Sequence, residues 1–166
     1  ERAHITLQLA DIHRQQGKEC VEEFKSAISE LEKHDDAESK HTMADAYGSL
    51  AHAYSASGHL TEALESRFKA LENAQTEIAK GIFKGDLAKD QYRLGKLEEA
   101  QACYLQALKI DGAPSEYHFN YGVALFDNNK FSEARQQFEE AVKRSPQVSD
   151  YQYNLAIEIG RASCRE

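Results

Sequence analysis

The 166-residue chain has no tryptophan, two prolines and three cysteines. So little proline leaves long stretches free to be helical, because proline is the residue most hostile to a helix interior. Cys20, Cys103 and Cys164 lie far apart and form no C-x-x-C pair, so neither a zinc knuckle nor a disulfide framework is indicated. Cys20 and Cys103 read as small packing residues in second helices of pairs, and a reducing, intracellular, cytoplasmic setting is expected. No run of 18 apolar residues occurs, so no membrane span is expected. A basic surface is also missing: 20 Lys and Arg stand against 28 Asp and Glu, a net charge of −8. That balance argues against nonspecific binding to nucleic acid or an anionic membrane.

Reactive constellations are absent as well. No glycine-rich phosphate loop is present, and no strand is available to precede one. The seven histidines (His4, His13, His34, His41, His52, His59, His118) include no H-E-x-x-H and no pair at helical ligand spacing. The carboxylate neighbours Glu98-Glu99 and Glu139-Glu140 point different ways on a helix and read as solvated faces. No metal, no cofactor and no catalysis are expected from this segment.

What the chain does have is internal repetition. Ala63 and Ala70, Ala100 and Ala107, and Ala134 and Ala141 form pairs seven apart, which places both members on one helix face. A second small-residue series, Ala51, Ala88, Gly122 and Ala156, keeps the same step. Small residues mark where two helices can approach closely, and this period belongs to stacked two-helix units. Apolar spacing places nine helices near 3–16, 19–33, 38–57, 60–79, 82–94, 97–110, 115–128, 131–144 and 148–158. Gly58 and Gly95 are expected to close first helices, and Ser115 and Ser132 to cap later ones. The unit shortens from 43 residues to 37 and then 34, so second helices or connections such as His34-Asp35-Asp36 should be longer in the N-terminal half.

At these residues the chain resembles a tetratricopeptide repeat array. The second unit reads Tyr47, Leu50-Ala51, Tyr54, Gly58, Ala63 and Ala70, with Arg67 where an aromatic is usual. The third reads Leu87-Ala88, Gly95, Ala100, Tyr104 and Ala107. The fourth reads Tyr121-Gly122, Leu125, Phe131, Ala134, Phe138, Ala141 and Pro146. A degenerate first unit (Leu9-Ala10, Gly17, Cys20, Phe24, Ala27) precedes them, and Tyr153 with Leu155-Ala156 opens a fifth. The longer units resemble those of kinesin light chains and cell-polarity adaptors. The resemblance implies an all-α fold: a right-handed α-solenoid of stacked antiparallel helix pairs over residues 1–157. That is about four pairs and the first helix of another.

It also implies where a ligand would meet the chain, on the first helices facing a concave groove. The inward residues by that count are Leu7, Asp11 and Arg14; Gly48, His52 and Ser55; Gly85, Lys89 and Tyr92; Phe119, Val123 and Phe126; and Tyr153 and Ile157. Phe119, Val123 and Phe126 share one helical stripe with Tyr92 and Tyr153 as flanks, and an apolar stripe in a groove signals a binding surface. The competing reading is that these side chains fill space between first helices. The peptide-groove candidates are therefore His52, Lys89, Tyr92, Phe119, Val123, Phe126 and Tyr153. The family's two-carboxylate clamp for chaperone C-terminal tails needs Lys, Asn and Arg where Gly48, Ser49, His52, Gly85 and Asp86 stand; Lys89 and Arg93 alone cannot build it. The expectation is a protein-interaction scaffold holding a partner peptide or helix. The alternatives are a recruiting arm of an enzyme catalytic elsewhere and a structural spacer in a large assembly.

The ends carry a further expectation. The chain starts at Glu1 with no charged-then-apolar leader, and it reads as a segment of a longer protein. Residues 158–166 (Glu-Ile-Gly-Arg-Ala-Ser-Cys-Arg-Glu) resemble the conceptual translation of a widely used short-read sequencing adapter. They are read as not native.

Overall fold

A computed structural model describes residues 2–163. Among them it holds nine helices and no strand: α1 (Arg2–Gln15), α2 (Val21–Leu31), α3 (Ala37–Ala56), α4 (Leu60–Asn73), α5 (Glu77–Arg93), α6 (Leu97–Ala107), α7 (Ser115–Asp127), α8 (Phe131–Arg144) and α9 (Ser149–Ser163). Four antiparallel pairs form, α1/α2 to α7/α8. Each second helix also packs on the next first helix, so the whole is a solenoid that extends one unit at a time.

The turns inside the pairs set the register. Gly17, Gly58 and Gly95 have φ of 68°, 81° and 75°, and Asn129 takes the same left-handed conformation at 60°. Glycine has no Cβ to clash in that conformation and asparagine tolerates it, so these residues close the first helices. They lie 41, 37 and 34 residues apart.

Five expectations are corrected. Helix α4 ends at Asn73 and α5 begins at Glu77, well before 82, because Thr76 Oγ1 accepts the Ala79 amide at 3.1 Å and starts the helix there. Gly81 thus sits inside α5, where a Cβ would collide with Ile110. The extra residues lengthen the first helices, at 20 in α3 and 17 in α5 against 13 in α7, not the second helices. Ser115 and Ser132 are not caps: the helices open after Pro114 and Lys130, one and two residues earlier, and neither opening has a side-chain cap. Cys20 is buried just ahead of α2 and not within it, while Cys103 is half-buried in α6, both as free thiols. Helix α9 runs to Ser163, beyond the expected helix end at 158; Cys164 and the two residues after it lie outside the described residues.

The core divides in two. One cluster joins Ala10, Phe24, Ile28 and Leu31 to Met43, Tyr47, Leu50 and Phe83. The other joins Ala88 and Tyr104 to Tyr117, Tyr121, Leu125, Ala134 and Phe138. Between them lies a buried charge cluster.

Candidate functional site: the face of the first helices

The first helices bond directly to one another. Arg93 Nη1 donates to the Ser55 carbonyl (2.9 Å), Lys89 Nζ meets Glu116 (2.9 Å), and Tyr92 donates to Asp127 (2.5 Å). Each of these bonds links one first helix to the next along the stack. By contrast, a cleft of about 310 Å³ lined by Lys25, Ile28, Glu65, Ser66 and Lys69 opens between the second helices α2 and α4. The first helices therefore line the inner side of the curve.

Their spacing on that side is controlled by ring and hole. Phe83 of α5 fills the space that a Cβ on Gly48 of α3 would need, and Tyr117 of α7 does the same over Gly85 of α5. At the next step Phe119 stands where a glycine stood, and the contact becomes a stack on Tyr151 at 4.7 Å. Phe119 also meets Phe138 at 5.6 Å, so its ring is committed to helix packing and only half exposed. Phe126 sits edge-on to Phe131 at 5.1 Å, and Val123 is half-buried on the same cluster.

The other sequence candidates fall into two groups. His52, Lys89 and Tyr92 are held by neighbouring first or second helices, and Tyr153 is exposed. Burial, together with the bond to Asp127, pushes the Tyr92 phenol up to about 12. Two residues of this face escaped the sequence reading, Ile78 and Ile82, which are 62 % and 41 % exposed. They continue the line of Gly85, Lys89 and Tyr92 toward the start of α5 at steps of four and three residues. Placing that helix start at 82 hid them; the Thr76 cap was the missing signal.

A second group went unforeseen, though Arg67 marked it. Its guanidinium is almost fully buried, as is Asp90. Nε faces Asp90 (3.4 Å), Nη1 faces Asp86 (3.2 Å) and donates to the Gly48 carbonyl (3.2 Å), and Nη2 lies 3.1 Å from His52 Nδ1. Ser55 donates to the other oxygen of Asp90 at 2.6 Å. His52 Nδ1 must accept from Arg67, so its proton sits on Nε2, which points at Asp86 (3.4 Å). Burial works against the charge on Asp86, but the His52 bond and the Arg67 charge outweigh it and hold the carboxyl below its ordinary value. Asp90 replaces the small residues Ala53 and Ala124 found at matching positions. An arginine and an aspartate that both break the pattern at one junction are the signal that could have been read.

The tetratricopeptide repeat family profile matches residues 86–149 and 124–157. Residues 86–157 thus match the tetratricopeptide repeat family in sequence, and the fold of the described chain is that of such repeats. The match covers the third and fourth units, whose second helices carry Tyr104 and Phe138, and does not reach the first two units. Solved structures share the fold: BtubC (BKLC) from P. vanneervenii at 20 % identity, over 93 % of this chain and 70 % of that one, with a TM-score of 0.79. A kinesin light chain candidate of Podosopora anserina with nearly identical TPR-like repeats is 20 % identical over 99 % of this chain and 88 % of its own, also at 0.79. The first TPR of Spaghetti (RPAP3), bound to an HSP90 peptide, is 18 % identical over 74 % of this chain and 95 % of its own, at 0.68. No curated protein matches in sequence.

Among the described residues no group of three or more His, Cys, Asp and Glu could hold a metal ion, and no helix is long and apolar enough to cross a membrane.

Proposed function

We propose that this array is a non-catalytic protein-interaction scaffold, and that a partner peptide or helix lies along the inner face of α5, α7 and α9. The observation that carries the reading is the exposed apolar line Ile78 and Ile82, continued by half-buried Phe126 and Val123 and by exposed Tyr153. Exposed apolar side chains on one face give up water when a partner covers them, and a few of them dominate affinity. Polar residues at the N-terminal end, the His41–Asp45 and Arg14–Asp11 pairs, would set the direction of the partner without adding much affinity.

The HSP90 peptide bound to the RPAP3 repeat supports a peptide as the kind of ligand, but not that peptide. Here Lys89 is paired to Glu116 and Arg93 to Ser55. Both cations already have partners on this face, and the two alone do not make a clamp of Lys, Asn and Arg for a chaperone tail. The site is intracellular in this reading, which agrees with two free thiols.

The test is a phage-displayed peptide screen against the protein, followed by affinities for Ile82→Ala, Phe126→Ala and Tyr153→Ala. Selected peptides should bind these variants about tenfold or more weakly, with helicity unchanged. Equal affinity for all three variants would remove this face as the site.

A further inference from the structure

Helix α1 carries a second apolar stripe, away from the groove. Ile5, Leu9 and Ile12 follow one another at steps of four and three residues, and they are 67 %, 45 % and 49 % exposed. The left-handed turn residues give the register between first helices. In that register the stripe matches Ala46, Leu50 and Ala53 of α3, then Phe83, Leu87 and Asp90 of α5, then Tyr117, Tyr121 and Ala124 of α7. All nine of those residues are buried.

What buries them is the preceding unit. Phe83 fills the hole at Gly48, and Asp90 is bonded to Ser55 and Arg67, all from α3 and α4. Tyr117 covers Gly85 and donates to the Ile82 carbonyl, Tyr121 meets the Tyr104 ring at 6.1 Å, and the Ala124 carbonyl accepts from Gln101, all from α5 and α6. The α3 triad shares one apolar cluster with Phe24, Ile28 and Leu31 of α2. A unit that ends a solenoid turns a polar face to water, because nothing stacks on it. α1 instead presents two isoleucines and a leucine in the register of a covered helix.

We propose that this stripe is a stacking face, covered at full length by a further helix pair on its N-terminal side. The second helix of that pair would bring the kind of face α2 brings to α3: a large ring, an alanine and two aliphatics at steps of three and four, as in Phe24, Ala27, Ile28 and Leu31. The inference is independent of the groove on α5 and α7, so either can fail without the other.

The native transcript, read upstream and expressed with its own preceding codons, tests it. The expected result is an amphipathic helix pair directly before Arg2 and amide exchange over Thr6–Ile12 about tenfold slower than in the 166-residue chain. Leu9→Glu should erase that slowing in the longer protein while leaving the melting of the 166-residue chain nearly unchanged. Leu9→Ala, a milder change that should erase part of the slowing, serves if the glutamate variant of the longer protein does not fold. Upstream codons without such a pair, or unchanged exchange, would overturn the proposal. So would a dimer of the 166-residue chain that protects α1, since a second copy would then be the occupant.

Discussion

Two successive second helices fill the same slot with opposite chemistry. In α6 the slot holds the Tyr104 ring, buried against Tyr121 of the next unit. In α4 it holds the Arg67 guanidinium, buried against Asp86 and Asp90 of the next unit. A ring fills that space by dispersion and loss of water contact, with no preferred partner. A guanidinium must first lose its hydration, and it is tolerated only where carboxylates and a carbonyl replace the water. The aromatic junction therefore tolerates changes in its neighbours, while the charged one specifies them. The charge cluster lies between the two apolar clusters of the core.

The strongest way to break this comparison is to remove one charge. Arg67→Ala leaves the buried Asp90 carboxylate with Ser55 but without its buried guanidinium, and should cost about 3–5 kcal/mol in urea unfolding. Tyr104→Ala should cost about 3–5 kcal/mol for a different reason, a cavity. The two separate in the double variant Arg67→Tyr with Asp90→Ala, which copies the aromatic junction. Its stability should equal the parent's or exceed it by about 1–4 kcal/mol. A double variant as unstable as Arg67→Ala would show that the charges are not a substitute for a ring.

Next in size are the helix contacts common to both junctions. Ala100→Leu and Ala134→Leu add methylenes where no space exists and should cost about 1–3 kcal/mol each. Glu99→Leu, on the exposed side of α6, should leave the melting midpoint in place. Equal midpoints for all three would mean that the alanines are not contact residues.

pH sharpens the comparison further. The Asp86 carboxyl is held below 3.8 in the fold, so its contribution is complete above 3.8 and lost as pH falls through the lower folded value. Melts of the parent should therefore fall more steeply below pH 4 than those of Asp86→Asn; parallel curves would show that Asp86 carries no linkage. At the aromatic junction the sign is reversed. Tyr92 is pushed up to about 12, so its contribution stands below pH 10 and is lost as pH rises through about 12. The smallest effect is expected from Tyr92→Phe, about 0.5–1.5 kcal/mol, with flattening of that alkaline loss.

Much of the fold was legible because it rests on local, repeated signals. The alanine pairs give helix faces, and Gly58 and Gly95 give turns, each within a few residues of sequence. The α5 start was misread because Gly81 and Gly85 look like breakers; they are contact holes for Ile110 and Tyr117, which only the fold brings near. The groove was less legible. Phe119 stands in the inward register, but its ring is taken by Tyr151, 32 residues further on. Ile78 and Ile82 were hidden by that same misplaced helix start.

The sequence by itself determined that this chain is a stack of helix pairs, since periodicity and small residues act between neighbours along the chain. Only the tertiary structure decided which inward side chains stay exposed and which charges are buried together. Those outcomes depend on residues 19 to 35 positions apart meeting across a junction, as in Arg67–Asp86 and Ser55–Asp90. A charge alone in the sequence carries no mark of whether water or another charge will surround it.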